Sequence, residues 1–274
     1  ATIRDYANAY RSGGTTPGKI ADKVLQAMTD SDARTPPLRA FIAYRREEVI
    51  AQAQASMKRI NAGKPLSVID GVPIAVKDES DLLPFGTTAG TKFLGKTPAR
   101  QDSTIAARLR AAGALLIGKT NMHEIGIGVT GLNPHHGTVR NPYNPAHHSG
   151  GSSSGSGAAV AAGLCPVAIG ADGGGSIRIP AAFCGLVGLK TTYARISSFG
   201  SVPLCGSVDH YGPLAVTAID AAIVYAIIAG PDAQDPGTLH QPPITLDGIE
   251  HTDLTGLKLG IYRPWFEHAS LAMV

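Results

Sequence analysis

The sequence predicts an α/β protein built on a central sheet, and three observations carry that reading. From about residue 66 onward, segments with helical hydrophobic spacing alternate with short apolar runs of strand length. Hydrophobic residues make up 43% of the 274 and charged residues 16%, enough apolar material for a large core and too little charge for a disordered chain. No internal repeat or low-complexity linker interrupts the pattern.

The elements follow in order. TIRDYANAYRSG, PGKIADKVLQAMTDSD and REEVIAQAQASMKRINAGK place apolar residues at helical spacing and end near Gly or Asn, so residues 1–65 read as an outer helical layer. DGVPIAVKDES opens on a turn signal and runs through Val72, Ile74 and Val76 into a strand that ends at Lys77. A helix over DSTIAARLRAAG and a strand over ALLI come next. NMHEIGIG and a polar, proline-punctuated loop, TGLNPHHGTVRNPYNPAHHSGG, lead to a helix of small residues from about Gly155 to Gly163. A strand near CPVAIGAD precedes GGGSIRIPAAFCG, where Pro180 suits the first turn of a helix.

Several function classes are disfavoured on the same residues. GALLIGKT, residues 113–120, matches G-x-x-x-x-G-K-[ST], but a phosphate loop needs a strand before it and a helix after it. Here a helix precedes, and the four intervening residues are apolar, so the stretch reads as a buried strand. The formal net charge of +3 comes without a basic block, which gives no sign of a nucleic-acid partner. The His135/His136 and His147/His148 doublets and His123 lack the spacing of a metal site, so no metal is expected. Cys165, Cys184 and Cys205 form no CxxC pair and read as buried free thiols in a reducing compartment. No secretory leader is expected at the N-terminus, and no apolar run reaches the roughly 18–20 residues of a membrane span. The expected location is cytoplasmic, at most peripheral to a membrane.

The chemistry concentrates in two serine–glycine clusters. In GADGGGSIRIPAAFCG, Gly173 to Gly175 precede Ser176, and their N–H groups are suited to converge beside the Ser176 hydroxyl as an oxyanion hole; an anion-binding turn without catalysis is the alternative. A serine nucleophile needs a base. HSGGSSSGSG contains G-x-S-x-G centred on Ser153, yet the strand that a nucleophile elbow requires is replaced by a long polar loop. Lys77 is the other candidate, because its stem enters the interior at the end of an apolar strand, where desolvation favours the neutral amine. A salt-bridged lysine at a strand end fits the same position equally well.

Taken together, GVPIAVKD, GGSSSGSGAAVAAG and GADGGGSIRIPAAFCGLVGLKTT resemble the amidase signature family from about residue 15 to the C-terminus. KTNMHEIGIGVTGLNPHHGTVRNPYNP is most similar to its plant-type fatty acid amide hydrolase branch. The resemblance implies a mixed β-sheet covered by helices on both faces, with residues 66–274 forming the N-terminal portion of that domain and the C-terminal half absent. It also implies a Ser-cisSer-Lys triad: Ser176 as nucleophile, Ser152 as bridging serine and Lys77 as base, with the N–H groups of Gly173, Gly174, Gly175 and Ser176 around the oxyanion. Ser153 matches a position that hydrogen-bonds within the site. Asp172 and Arg178 match positions that support the loop or, for the arginine, touch substrate. Ala171 and Ser154 depart from the residues frequent at those positions without touching the triad.

The implied function is serine hydrolysis of a carboxylic amide, of the N-acyl or fatty acid amide type, through an acyl-enzyme and with no cofactor. Two alternatives stay open: the amidase subunit of a tRNA-dependent amidotransferase, and a non-catalytic scaffold in which the shortened domain leaves the triad unassembled. The expected partners are a small-molecule amide and the missing C-terminal half, docking on an exposed apolar face. A homodimer is compatible with the same resemblance.

Overall fold

The computed structural model describes residues 1–250, 253–265 and 267. Residues 1–244 form one compact unit and 245–274 a second. Among the described residues of the second unit, the one regular element is the short 3-10 turn Arg263–Trp265.

In the first unit the chain forms α1 (Ile3–Arg11), α2 (Pro17–Ala33), β1 (Phe41–Ala43), α3 (Arg46–Asn61), β2 (Pro73–Lys77), α4 (Thr104–Ala111) and β3 (Leu115–Thr120). It continues through α5 (Ser154–Ala161), β4 (Val167–Asp172), α6 (Arg178–Phe183), β5 (Val187–Gly188), β6 (His210–Ala215) and α7 (Ala218–Ile228). The strands lie in the order β1-β3-β2-β4-β6-β5. The β2–β3 and β2–β4 pairs are parallel and the β1–β3, β4–β6 and β5–β6 pairs antiparallel, so the sheet is mixed.

Alternation along the central strands divides the core into two layers. Ile74, Val76, Leu116, Val167 and Ile169 pack with Ile3 of α1, Ile105 and Leu109 of α4 and Val224 and Ile228 of α7. Ala75, Leu115, Ile117 and Ala168 pack on the other face with Val24 and Leu25 of α2, Val49 of α3 and Ala158 to Val160 of α5. Helices therefore cover both faces. The small residues of α5 let it lie close to the chain beside it: a Cβ at Gly155 would stand 2.3 Å from the Ala40 carbonyl oxygen and 2.5 Å from Asn121 N.

GALLIGKT is a strand, as its apolar run predicts, and it carries a bulge. The register steps from Ile74↔Leu116 to Val76↔Lys119, which leaves one extra residue in β3. Gly118 takes φ +147°, and a Cβ there would stand 2.5 Å from the Ala43 carbonyl oxygen. Strict alternation from Ile117 would turn Lys119 towards α5. The bulge aligns Lys119 with Val76 instead and pairs Thr120 with Lys77, so Lys77 is the β2–β3 lysine on the α5 face.

Two sequence expectations need correction. Residues 1–65 are not purely helical, because Phe41–Ala43 pairs with β3 as an edge strand. Residues 218–228 form α7, with Thr217 Oγ1 accepting from Asp220 N–H at 3.1 Å. Cys165 and Cys184 are buried, and burial pushes both thiols up to about 12, but Cys205 is exposed. No helix among the described residues is long and apolar enough to cross a membrane. The expected domain ends on residues 268–274, which lie outside the described residues.

One ion pair fastens α3 to the entrance of β2. Arg59 Nε and Nη2 donate to the Asp70 carboxylate at 2.8 and 2.7 Å, and Leu66 N–H donates at 2.8 Å. Burial would raise the Asp70 carboxyl, but these donors outweigh it and hold the group below its ordinary range. A depressed carboxyl contributes stability above its unfolded value and loses it as pH falls through the folded value. Asp70→Asn is therefore expected to cost about 2 kcal/mol at pH 7. Urea titrations of the two proteins should converge as the pH is lowered, and a constant gap down to pH 2 would refute this account.

Candidate active site

Lys77 closes β2, and Ser176 follows the end of β4 by four residues. Both therefore lie at the carboxyl end of the parallel pair, where an open α/β sheet leaves a crevice. Ser152 stands two residues before α5, after a cis Gly151–Ser152 peptide bond. Because α5 lies over the face that Lys77 shares with Ala75, the end of β2 and the start of α5 meet. Lys77 Nζ lies 2.9 Å from Ser152 Oγ, and both residues are buried.

The second serine cluster is tied to the first through backbone. Ser153 N–H donates to the Ser176 carbonyl at 3.2 Å, and His123 N–H donates to the Ser152 carbonyl at 3.1 Å. Ser153 Oγ donates to the Ala171 carbonyl at 3.1 Å and accepts from Ala171 N–H at 3.2 Å, locking the loop to β4. Ser153 Oγ is thus engaged by Ala171 as both donor and acceptor, and no strand leads into it as a nucleophile elbow would need.

Asp172 shapes the glycine loop. Its carboxylate accepts from Gly175 N–H at 2.7 Å, Ile177 N–H at 3.1 Å and Arg178 N–H at 3.3 Å, and from Arg178 Nε and Nη2 at 3.0 Å each. Burial would raise this carboxyl, but the guanidinium and the three N–H groups hold it low. One sequence expectation changes here. Gly175 N–H is engaged by Asp172, because a buried carboxylate takes the nearest donors, whereas the N–H groups of Gly173, Gly174 and Ser176 meet no protein acceptor among the described residues. Arg178 is half exposed at the rim.

Sequence reasoning missed Glu79. Its Oε2 lies 3.0 Å from Lys77 Nζ, and the residue is buried. No strand period signals it, because the chain turns after Lys77, with Ser80 N–H donating to the Lys77 carbonyl at 3.1 Å. It also missed the walls. A Cβ at Gly126 would stand 3.8 Å from Ser152 Oγ and 3.7 Å from Leu204, so the 3-10 turn Glu124–Gly126 and the loop before β6 flank the site. Ile125, Ile127, Val129 and Leu204 on these segments are exposed.

Comparison with known proteins places this chain in a family. The profile described as Amidase matches residues 23–272. The chain belongs to the amidase family. It is 45% identical over 273 residues to a fatty acid amide hydrolase of Arabidopsis thaliana, covering 98% of this chain and 45% of the relative. It is 42% identical over 246 residues to a subunit of the glutamyl-tRNA(Gln) amidotransferase of Thermosynechococcus vestitus, covering 89% of this chain and 51% of that one. The peptide amidase from Stenotrophomonas maltophilia superposes with a TM-score of 0.85 at 35% identity, over 90% of this chain and 51% of the other. The chain thus spans about half the length of the family members it matches.

Proposed function

We propose that this chain holds the catalytic centre of a serine amidase that cleaves N-acyl or fatty acid amides through an acyl-enzyme. The observation that carries the reading is the buried 2.9 Å contact between Lys77 Nζ and Ser152 Oγ. In the proposed reaction a neutral Lys77 amine takes the Ser152 proton as Ser152 takes that of Ser176. Ser176 Oγ bonds to the amide carbon, and the carbonyl electron pair moves onto oxygen, where the N–H groups of Gly173, Gly174 and Ser176 receive it. Collapse re-forms the carbonyl and breaks the C–N bond. The proton on Lys77 returns through Ser152 to the departing nitrogen, which leaves as a neutral amine. Water attacks the acyl-enzyme by the same relay, releasing the carboxylic acid and restoring the Ser176 hydroxyl.

The N-acyl preference is supported by the similarity to the Arabidopsis fatty acid amide hydrolase, which extends over 98% of this chain. Ser153 and Asp172 hold the two loops in this reading, and Arg178 stands at the mouth. The exposed Ile127, Val129 and Leu204 are the surface on which the remainder of a full-length family domain would pack. A cytoplasmic location belongs to the same proposal and is supported by three free cysteines.

A fluorophosphonate tests the centre directly. One adduct is expected by intact mass, mapping to Ser176 and absent from Lys77→Ala. A folded wild-type chain that takes no adduct would refute the reading, and glutamine hydrolysis confined to a complex with partner subunits would move it to the amidotransferase class.

A further inference from the structure

The carboxylates around the site are matched to donors in different ways. Asp172 is filled by Arg178 and three backbone N–H groups. Asp78 pairs with Lys119 at 3.2 Å and accepts from Thr88 and Gly90 N–H. Asp209 on the flanking loop accepts from Leu204 N–H at 2.6 Å and Cys205 N–H at 2.9 Å. Glu79 differs: its Oε2 meets Lys77 Nζ, and its buried Oε1 has no partner among the described residues. A carboxylate that shapes a loop is saturated by that loop's N–H groups. Glu79 is oriented by the candidate base alone.

We propose that Glu79 is a positioning residue, the counter-ion of the base, which stabilises the ammonium formed on Lys77 as Ser176 attacks and thereby sets the pH at which the free amine becomes available. The inference rests on the amidase reading above. In a buried site an ammonium without a counter-charge is costly, and a carboxylate at 3.0 Å offsets that cost. Other charges facing Glu79 are Asp78 and Lys119, which neutralise each other, and Asp209; the Tyr211 phenol also faces it. Burial pushes the Glu79 carboxyl up, and Lys77 opposes that push.

The test is the rate of fluorophosphonate labelling at Ser176 from pH 5 to 10 in wild type, Glu79→Gln and Glu79→Asp. Wild type should show an ascending limb with pH. Glu79→Gln retains shape and an acceptor but no charge, and its limb should move down by about 1–3 pH units while its plateau falls roughly tenfold. Glu79→Asp should return the limb towards wild type. A lower plateau with the limb in place would make Glu79 merely structural and overturn the inference, as would a flat wild-type profile, which needs no variant to fold. Absence of any Ser176 adduct in wild type would instead overturn the amidase reading beneath it.

Discussion

Replacing Ser176, Ser152 or Lys77 singly with Ala is expected to lower amide hydrolysis by on the order of 10⁴-fold or more, and the double variant Lys77→Ala/Ser152→Ala to fall little below either single one. In the proposed relay Lys77 and Ser152 together serve one event, removal of the proton from the Ser176 hydroxyl. Once either is gone the proton must leave by water, and removing the other takes nothing further away. The 2.9 Å Lys77–Ser152 contact makes the two a unit, because the lysine reaches the nucleophile only through that hydroxyl in the proposed relay. Initial rates on a fatty acid primary amide give the four values. A double variant whose loss equals the product of the single losses would mean that the residues act independently, and the relay would be abandoned. The residual rate should still exceed the uncatalysed one, since Gly173 and Gly174 keep their N–H groups in every variant.

What the sequence revealed of this site follows physical lines. Lys77, Ser152 and Ser176 stand in segments whose pattern is local: an apolar strand ending on a cation, and two runs of Gly and Ser that few folds use except for close backbone approach. Gly155 illustrates the second, since its missing Cβ leaves room for the Ala40 carbonyl. Elements set by distant partners were hidden. β1 is three residues long and exists by pairing with β3. β6 contains Pro213, which argues against an internal strand. Its carbonyl accepts from Leu189 N–H at 3.0 Å, which turns the donorless nitrogen to the side of two-residue β5, where little of the ladder is lost. The Lys77–Glu79 pair and the loss of Gly175 N–H to Asp172 depend on side-chain placement that a hydrophobic period does not encode.

Lys119→Met is expected to be the most damaging substitution for the fold, costing about 3–5 kcal/mol. The side chain is fully buried, and its Nζ donates to the Ser80 carbonyl at 2.6 Å, to Thr87 Oγ1 at 2.9 Å and to Asp78 Oδ1 at 3.2 Å. Methionine fills the space of the stem but leaves an uncompensated buried carboxylate at Asp78 and a carbonyl without its donor. Most of the loss comes from that stranded charge; Asp78→Asn strands the buried Lys119 ammonium in the same way and should also destabilise, and the double variant should recover part of each single variant's deficit. Chemical denaturation of the four proteins gives the coupling between the two residues. Coupling near zero would mean that the pair is screened or rearranges, and the argument from burial would fail. A large coupling would explain why a lysine stands at the end of a strand that resembles a phosphate loop: in GALLIGKT the glycine shifts the register, and the lysine neutralises the carboxylate next to the candidate base.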